Sequence, residues 1–370
     1  MRRLLALAES ALSSGPFSVT AKKNLPPSGD KRDYFSLSIY FWPNPDTSDG
    51  LPYVPRDGQP NPEASDYDRP RFEEFCRNVD ILALAYAATG DERFAKKAAA
   101  LLRVWFVDEA TRMNPNMLFA QFIPGDDVVL PWKEYPARFV AGAHGRKGVY
   151  VSFGGTIEDL PLIPLTDSIS LLDPSPHWSR ADQSAVAQWY AEYAEWLLTH
   201  QHGLDEAACR NNHGSWYWAG IVCFLNFSGQ HRRARGFAAK ALPERLKLQI
   251  EPDGSQPEEL VRTISMSYTS FSLCSFTNFA LSASQCGFDA WNFETDDGRS
   301  IRRAADWLAP YLTAEQAWKW KQISPFDPEI LVGPLAALAV AYSDPAYLEI
   351  IGRLRGLPID SLASLICAAK

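Results

Sequence analysis

Proline and glycine are not spread evenly along this chain. They crowd between Pro26 and Pro70 and again between Pro124 and Pro164. Outside those stretches apolar residues recur at helical spacing in runs of about 15–25 residues, which forces a mainly α-helical fold joined by long loops. Residues 71–88 place Phe72, Phe75, Val79, Leu82 and Tyr86 on one face, and Thr89-Gly90-Asp91 ends that run. Further helices are expected over 92–107, 179–198 (with Ser179 as its N-cap), 215–226, 231–249, 258–286, 300–311 and 329–355.

An internal echo narrows the architecture. Residues 84–94 and 338–348 both read as an alanine-rich helix, a tight turn with Asp, and a second helix opened by an aromatic residue. Helical hairpins of this kind stack into α/α toroids and solenoids. One toroidal domain over 1–370 is therefore expected, its hydrophobic content of 46% being ample for a large core. The stretch 126–158 departs from the helical pattern. Within it residues 148–155 alternate as in a short strand, so a minor β-hairpin is expected there, in a long loop that forms either a cleft wall or lid or a variable insertion.

Charge and cysteine content remove several classes of function. A net charge of −8 argues against a general nucleic-acid binder, which needs a basic stripe. It leaves room for a polyanionic ligand, because Arg, Lys and His clustered in a cleft can oppose the global sign. The six cysteines are scattered without a C-x-x-C pair, so they suit buried thiols better than a zinc site. No membrane span is expected, since no run of about 18 apolar residues occurs. Residues 1–8 imitate a leader, but Glu9 interrupts the apolar run. The start reads either as an amphipathic helix or as a chain whose leader is gone, and a secreted or periplasmic location is expected.

The chemistry concentrates in Asn211-Asn212-His213-Gly214-Ser215-Trp216-Tyr217, with Arg262 and Tyr268 downstream. Two amides, an imidazole, a guanidinium and a phenol stand there among aromatic rings, with no conspicuous carboxylate pair. That set suits removal of a weakly acidic C–H proton beside a carboxylate better than hydrolysis. In a uronic-acid polymer the C5 proton becomes acidic when the neighbouring carboxylate is neutralised by hydrogen bonds. Asn, His and Arg can supply those, and a tyrosine held near cations can take the proton. The inventory points to a polysaccharide lyase acting on an acidic polysaccharide, and the mechanism calls for no cofactor or metal.

Four segments together resemble the alginate lyase superfamily. They are Lys31-Arg32-Asp33-Tyr34 running on to Tyr40-Phe41-Trp42-Pro43-Asn44-Pro45-Asp46, Arg112-Met113-Asn114-Pro115-Asn116 running on to Gln121-Phe122-Ile123-Pro124-Gly125, Asn211 to Tyr217, and Gln249 to Tyr268. The resemblance covers roughly 31–310 and implies an incomplete α/α toroid with a cleft across one end. It implies that Asn212, His213, Arg262 and Tyr268 match the family's catalytic Asn-His, Arg and Tyr. The chain departs from the pattern at Ser267, where relatives often have His, and in the length of 126–158.

Other residues keep two readings. Asn211 either lines the site or caps a helix. Asn114, Asn116 and Gln121 either donate to sugar hydroxyls or satisfy their loop. Tyr40, Trp42, Trp216 and Tyr217 are candidate platforms for pyranose rings, or else core aromatics. On a regular helix residues 262 and 268 stand about 240° apart, so they converge only if the helix starts after Arg262 or the long Arg side chain reaches round. A rival reading pairs carboxylates among Asp33, Asp46, Asp253 and Glu259 as the acid and base of an inverting glycosidase, which need about 6.5–9.5 Å between them. A non-catalytic carbohydrate-binding protein is the third reading.

Overall fold

The computed structural model describes residues 1–125 and 155–355. Of these residues 59% are helical and 4% lie in strands, so the mainly α class holds. The chain divides into two compact units, Met1–Glu206 with Cys223–Gln230, and Ala207–Val222 with His231–Lys370.

In the first unit the helices are α1 (Arg2–Leu12), α2 (Asp68–Thr89), α3 (Glu92–Leu102), α4 (Leu162–Ser170), α5 (Arg180–Thr199) and α6 (Gln201–Ala207). Helix α2 packs on α1, α3 and α4. It buries the five residues expected on its apolar face and starts before Pro70, because proline is tolerated in a first turn. The same tolerance at Pro164 lets α4 form at the end of the proline- and glycine-rich stretch, where no helix was assigned. The core is aromatic: Phe75 stacks on Trp105 with centroids 4.7 Å apart, and Trp189 stacks on Tyr193 at 5.3 Å. Ser179 caps α5 through a reciprocal capping box with Asp182.

Four short strands complete the described part of this unit. β1 (Phe35–Leu37) pairs in parallel with β4 (Phe119–Phe122), and β2 (Phe41–Trp42) pairs antiparallel with β3 (Val54–Pro55). All lie outside 126–158, where strand was expected. Elements of two to four residues are too short to display alternation, so the pattern could not reveal them. Residues 126–154 of the expected insertion, including nearly all of its hairpin, fall outside the described residues; Gly155–Asp159 form a 3₁₀ turn.

Helix α7 (Asn212–Phe227) contributes its first residues to the second unit and its last to the first. The second unit then adds α8 (His231–Gln249), α9 (Pro257–Leu260), α10 (Ser265–Gln285), α11 (Ile301–Leu312), α12 (Val332–Tyr342) and α13 (Ala346–Arg355). Helix α10 is its centre and packs against α8, α9, α11 and α12. The run expected over 258–286 is therefore interrupted at 261–264, and tertiary pairing is the cause. The Ile323 N–H donates to the Thr263 carbonyl at 3.0 Å, and the Ser265 N–H donates to the Lys321 carbonyl at 3.0 Å. These bonds draw the backbone out of the helical ladder.

The echoed segments are the α2–α3 and α12–α13 hairpins. In the first, Gly90 turns the chain at φ 69° and Asp91 caps α3; in the second, Ser343 takes the same left-handed conformation at φ 52° and the Asp344 carboxylate accepts from the Ala346 N–H. The run expected over 329–355 splits at that turn. Among the described residues five cysteines are free thiols, four of them buried, while Cys367 lies outside them. None of the described helices is long and apolar enough to cross a membrane.

Candidate active site

The start of α7 is built around close backbone approach. The Gly214 N–H donates to the Asn211 carbonyl at 3.0 Å, and Asn211 itself is buried. A Cβ at Gly214 would run into the Cys209 carbonyl and the Arg245 guanidinium, which is hydrogen-bonded to that carbonyl. Glycine is thus required for this turn, and the turn points Asn212 at α9.

There Asn212 meets Glu259. Its backbone N–H donates to Glu259 Oε1 at 2.6 Å and its side-chain Nδ2 to Oε2 at 2.7 Å. Two donors on two oxygens suit an ionised carboxylate. Burial nevertheless pushes the Glu259 pKa up to about 7, against the opposing pull of the Arg262 charge, the Asn212 hydrogen bonds and the His213 charge. Glu259 is therefore a hub that feels three of the four residues singled out from the sequence. From the sequence Glu259 stood out as a candidate glycosidase carboxylate. The signal that could have found it is an acid three residues before Arg262. Asn212 Oδ1, also buried, accepts no hydrogen bond from the described residues.

Arg262 and Tyr268 do converge, and by the first of the two routes the helix geometry allows. Helix α10 begins at Ser265, after Arg262. The Arg262 guanidinium carbon lies 3.4 Å from the centroid of the Tyr268 ring, a close cation–π contact. Arg262 is only 3% exposed, whereas Tyr268 and His213 are half-buried. The second unit also holds a buried polar seam that was not singled out from the sequence. Ser275 Oγ and Ser215 Oγ are hydrogen-bonded at 2.6 Å, and Gln249 Nε2 donates to Ser215 Oγ at 3.3 Å, tying α7 to α8 and α10. The serine density of α10 was its sequence signal.

The remaining candidates fall into different surroundings. Trp216 and Tyr217 are 7% and 6% exposed, so their rings pack inside the protein, Trp216 against Phe271 at 5.2 Å. In the first unit Asn114 Nδ2 donates to Asp33 Oδ1 at 2.7 Å, and Asn116 Oδ1 accepts from the Leu118 N–H at 3.0 Å. Gln121 is held at a positive φ of 52°, and its N–H donates to Ser36 Oγ. Trp42 is half-buried, donates to the Gln59 carbonyl at 2.8 Å, and carries the Arg56 guanidinium 5.0 Å from its ring; Tyr40 is half-buried beside it in sequence.

Three of the four rival carboxylates are engaged by hydrogen-bond donors. Asp33 holds Ser28 and Asn114, Asp253 closes its turn on Ser255, and Glu259 holds Asn212. Asp46 is exposed on a loop.

The sequence profile described as Alginate lyase matches residues 18–318. Among solved structures, an alginate lyase from Bacteroides ovatus matches with a TM-score of 0.86 at 33% identity, over 99% of this chain and 92% of that one. Alginate lyase A1-III, in a variant complexed with a tetrasaccharide, matches with a TM-score of 0.51 at 17% identity, over 93% of this chain and 88% of that one, a likeness of fold alone. With these proteins the chain shares the α/α toroid class. No match is found among curated proteins.

Proposed function

We propose, from the premise that this chain belongs to the alginate lyase family and is a polysaccharide lyase, that it cleaves a 1,4-linked polyuronate of the alginate or glucuronan type by β-elimination. The observation that carries the reading is the meeting of Asn212, His213 and Arg262 around Glu259, with the Arg262 guanidinium laid over Tyr268.

The reaction divides between the two sides of the sugar. Tyr268, as phenolate, removes the C5 proton, and the positive guanidinium beside its ring favours negative charge on that oxygen. As the C5–H electron pair moves toward the carboxylate, charge builds on the carboxylate oxygens. Asn212, His213 and Arg262 meet that charge with hydrogen bonds set in advance, so little reorganisation is left for the transition state. The C4–O bond then breaks. Its electron pair leaves with O4, a proton from the Tyr268 hydroxyl completes the new alcohol, and a C4–C5 double bond remains on the non-reducing end. Asn211 is proposed to bind a sugar beside this centre, and Asn114, Asn116, Gln121, Tyr40 and Trp42 of the first unit are separately proposed as sugar contacts; the buried rings of Trp216 and Tyr217 support the second unit's centre from within. Because such polymers lie outside the membrane, a secreted or periplasmic location goes with this reading.

A panel of acidic polysaccharides, followed by ultraviolet absorbance of the unsaturated product, tests it. Absorbance rising with chain scission is expected on alginate or glucuronan. New reducing ends without absorbance would establish hydrolysis instead.

A further inference from the structure

Residues 316–325 form a short segment with an unusual makeup. It contains Trp318-Lys319-Trp320-Lys321 and no acidic residue, in a chain whose net charge is −8. Its two indoles close a cluster with Trp307 and Tyr311 of α11. Trp318 and Trp320 have centroids 4.8 Å apart, Trp307 lies 5.4 Å from Trp320, and Tyr311 lies 5.2 Å from Trp318. All four aromatics are half-buried and keep surface in contact with solvent, while Lys319 and Lys321 are exposed and take part in no ion pair among the described residues. A solvent-facing aromatic group of this size flanked by unpaired ammonium groups is not needed to fill a core.

Its position connects it to the reaction centre. Trp318 Nε1 donates to Ser265 Oγ at 2.9 Å. The Met266 N–H donates to Gln322 Oε1 at 3.0 Å, and Gln322 Nε2 donates to Ser267 Oγ at 3.2 Å. The segment is thus bonded to the first turn of α10, the turn that carries Tyr268. Ser265 and Tyr268 are three residues apart on that helix and share a face, with Cβ atoms about 5–6 Å apart.

We propose that Trp318, Lys319, Trp320 and Lys321 form a second carbohydrate subsite, which stacks a pyranose ring of the acidic polymer on the indoles and meets its carboxylate with the lysines. The proposal rests on the polyuronate reading of the Tyr268 site. The chemistry follows from the parts. The C–H face of a pyranose packs on an indole plane, and an ammonium beside the plane selects a ring that bears negative charge over a neutral one. Polymer held there is anchored beside the residue that takes the proton.

The test separates the two readings by using binding for one and product for the other. In Tyr268→Phe protein, which on this reading is expected to retain polymer without cleaving it, Trp320→Ala is expected to weaken calorimetric binding of alginate or glucuronan about fivefold to tenfold, the range of a lost ring contact. Trp320→Phe should restore most of the loss. Trp320 is chosen because it is Trp318, and not Trp320, whose indole N–H anchors α10 at Ser265. Lys319→Ala with Lys321→Ala should flatten the salt dependence of binding. If Trp320→Ala and the double lysine variant both bind as tightly as the Tyr268→Phe protein, with the same salt response, the subsite is wrong. Should Trp320→Ala fail to fold, Trp320→Phe and the lysine pair decide. Absence of unsaturated product from the unaltered protein on every polyuronate would instead sink the lyase reading.

Discussion

Glu158 in the first unit and Glu259 in the second stand in nearly the same predicament. Each is buried, at 6% and 2% exposure, and each has its pKa raised first by desolvation and held back by an arginine, Arg69 and Arg262 respectively. A tyrosine belongs to each group, yet the two are wired differently. Tyr34 donates its hydroxyl to Glu158 Oε2 at 2.7 Å, and burial beside that carboxylate pushes the phenol well above its ordinary range. Arg69 lies 3.5 Å from Glu158 and is also tied to Glu73 at 2.8 Å. The carboxylate of the second unit is bonded differently. It holds Asn212, and the arginine it attracts lies over Tyr268. The same residue types make a closed clasp in one place and a set of aimed groups in the other. What separates the two is the phenol's partner: the Tyr34 hydroxyl is held by the Glu158 carboxylate, whereas the Tyr268 ring lies against the Arg262 guanidinium.

The comparison breaks first, and with the largest effect, if the Glu158 clasp is opened. Glu158→Ala leaves Arg69 and the Tyr34 hydroxyl without their buried acceptor, and the expected cost is about 3–5 kcal/mol of stability by denaturant unfolding. Turnover per folded molecule should hardly change. Lost turnover at full stability would mean that the first unit's carboxylate belongs to the reaction.

Next comes Tyr268→Phe, expected to lower the chemical rate by ~10²-fold or more while thermal unfolding and polymer binding stay near normal. That loss corresponds to about 2.7 kcal/mol of transition-state stabilisation. Near-normal turnover in this variant would refute the assignment of the base.

Glu259→Gln is smaller and sharper. An amide offers one acceptor where Asn212 presents two donors, so Asn212 must turn and kcat is expected to fall about tenfold, some 1.4 kcal/mol. The pH response follows from the raised pKa. A carboxyl raised from 4.5 to about 7 by folding keeps its proton in the native state while the unfolded chain has lost it. The associated stability is fully present at low pH and is lost as pH rises through about 7. Unfolding free energy should therefore decline across that window, and Glu259→Gln should remove part of the slope. An unchanged slope in the variant would show that Glu259 ionises as freely when folded as when unfolded.

These centres also mark how far the sequence was legible. The α2–α3 and α12–α13 hairpins could be read because helical period, an Asp turn and alanine-rich packing are local signals. Asn212, His213, Arg262 and Tyr268 could be singled out because their residue types fit one chemistry and one family pattern. Glu259 could not be given its task, because an acid before an arginine looks like an ordinary first-turn pair until Asn212 is seen against it. The break at 261–264 was equally hidden: its cause is the segment at 321–323, some sixty residues downstream, and periodicity carries no trace of it. Geometry could say only that a break was one of two ways to join Arg262 to Tyr268. Strands of two to four residues and the helix across Pro164 escaped for the same reason, that tertiary contacts outvoted weak local preference.

The smallest expected effect gives the comparison its cleanest test, because it repeats one chemical change in both places. Tyr34→Phe removes a single oxygen, as Tyr268→Phe does. In the first unit that oxygen donates to a buried carboxylate, so its loss should cost about 1–3 kcal/mol of stability, toward the low end because Arg69 still faces Glu158 and can share its charge. The rate per folded molecule should stay within about twofold, well below the tenfold that 1.4 kcal/mol would bring. In the second unit the same deletion should spare stability and cost the rate. The two variants, measured side by side by denaturant unfolding and by product absorbance, should give mirror-image results. If Tyr34→Phe slows turnover as much as Tyr268→Phe, then Glu158 and Tyr34 act in the reaction and the distinction between clasp and site collapses. If neither slows it, the base lies elsewhere and the Arg262–Tyr268 contact is itself a clasp.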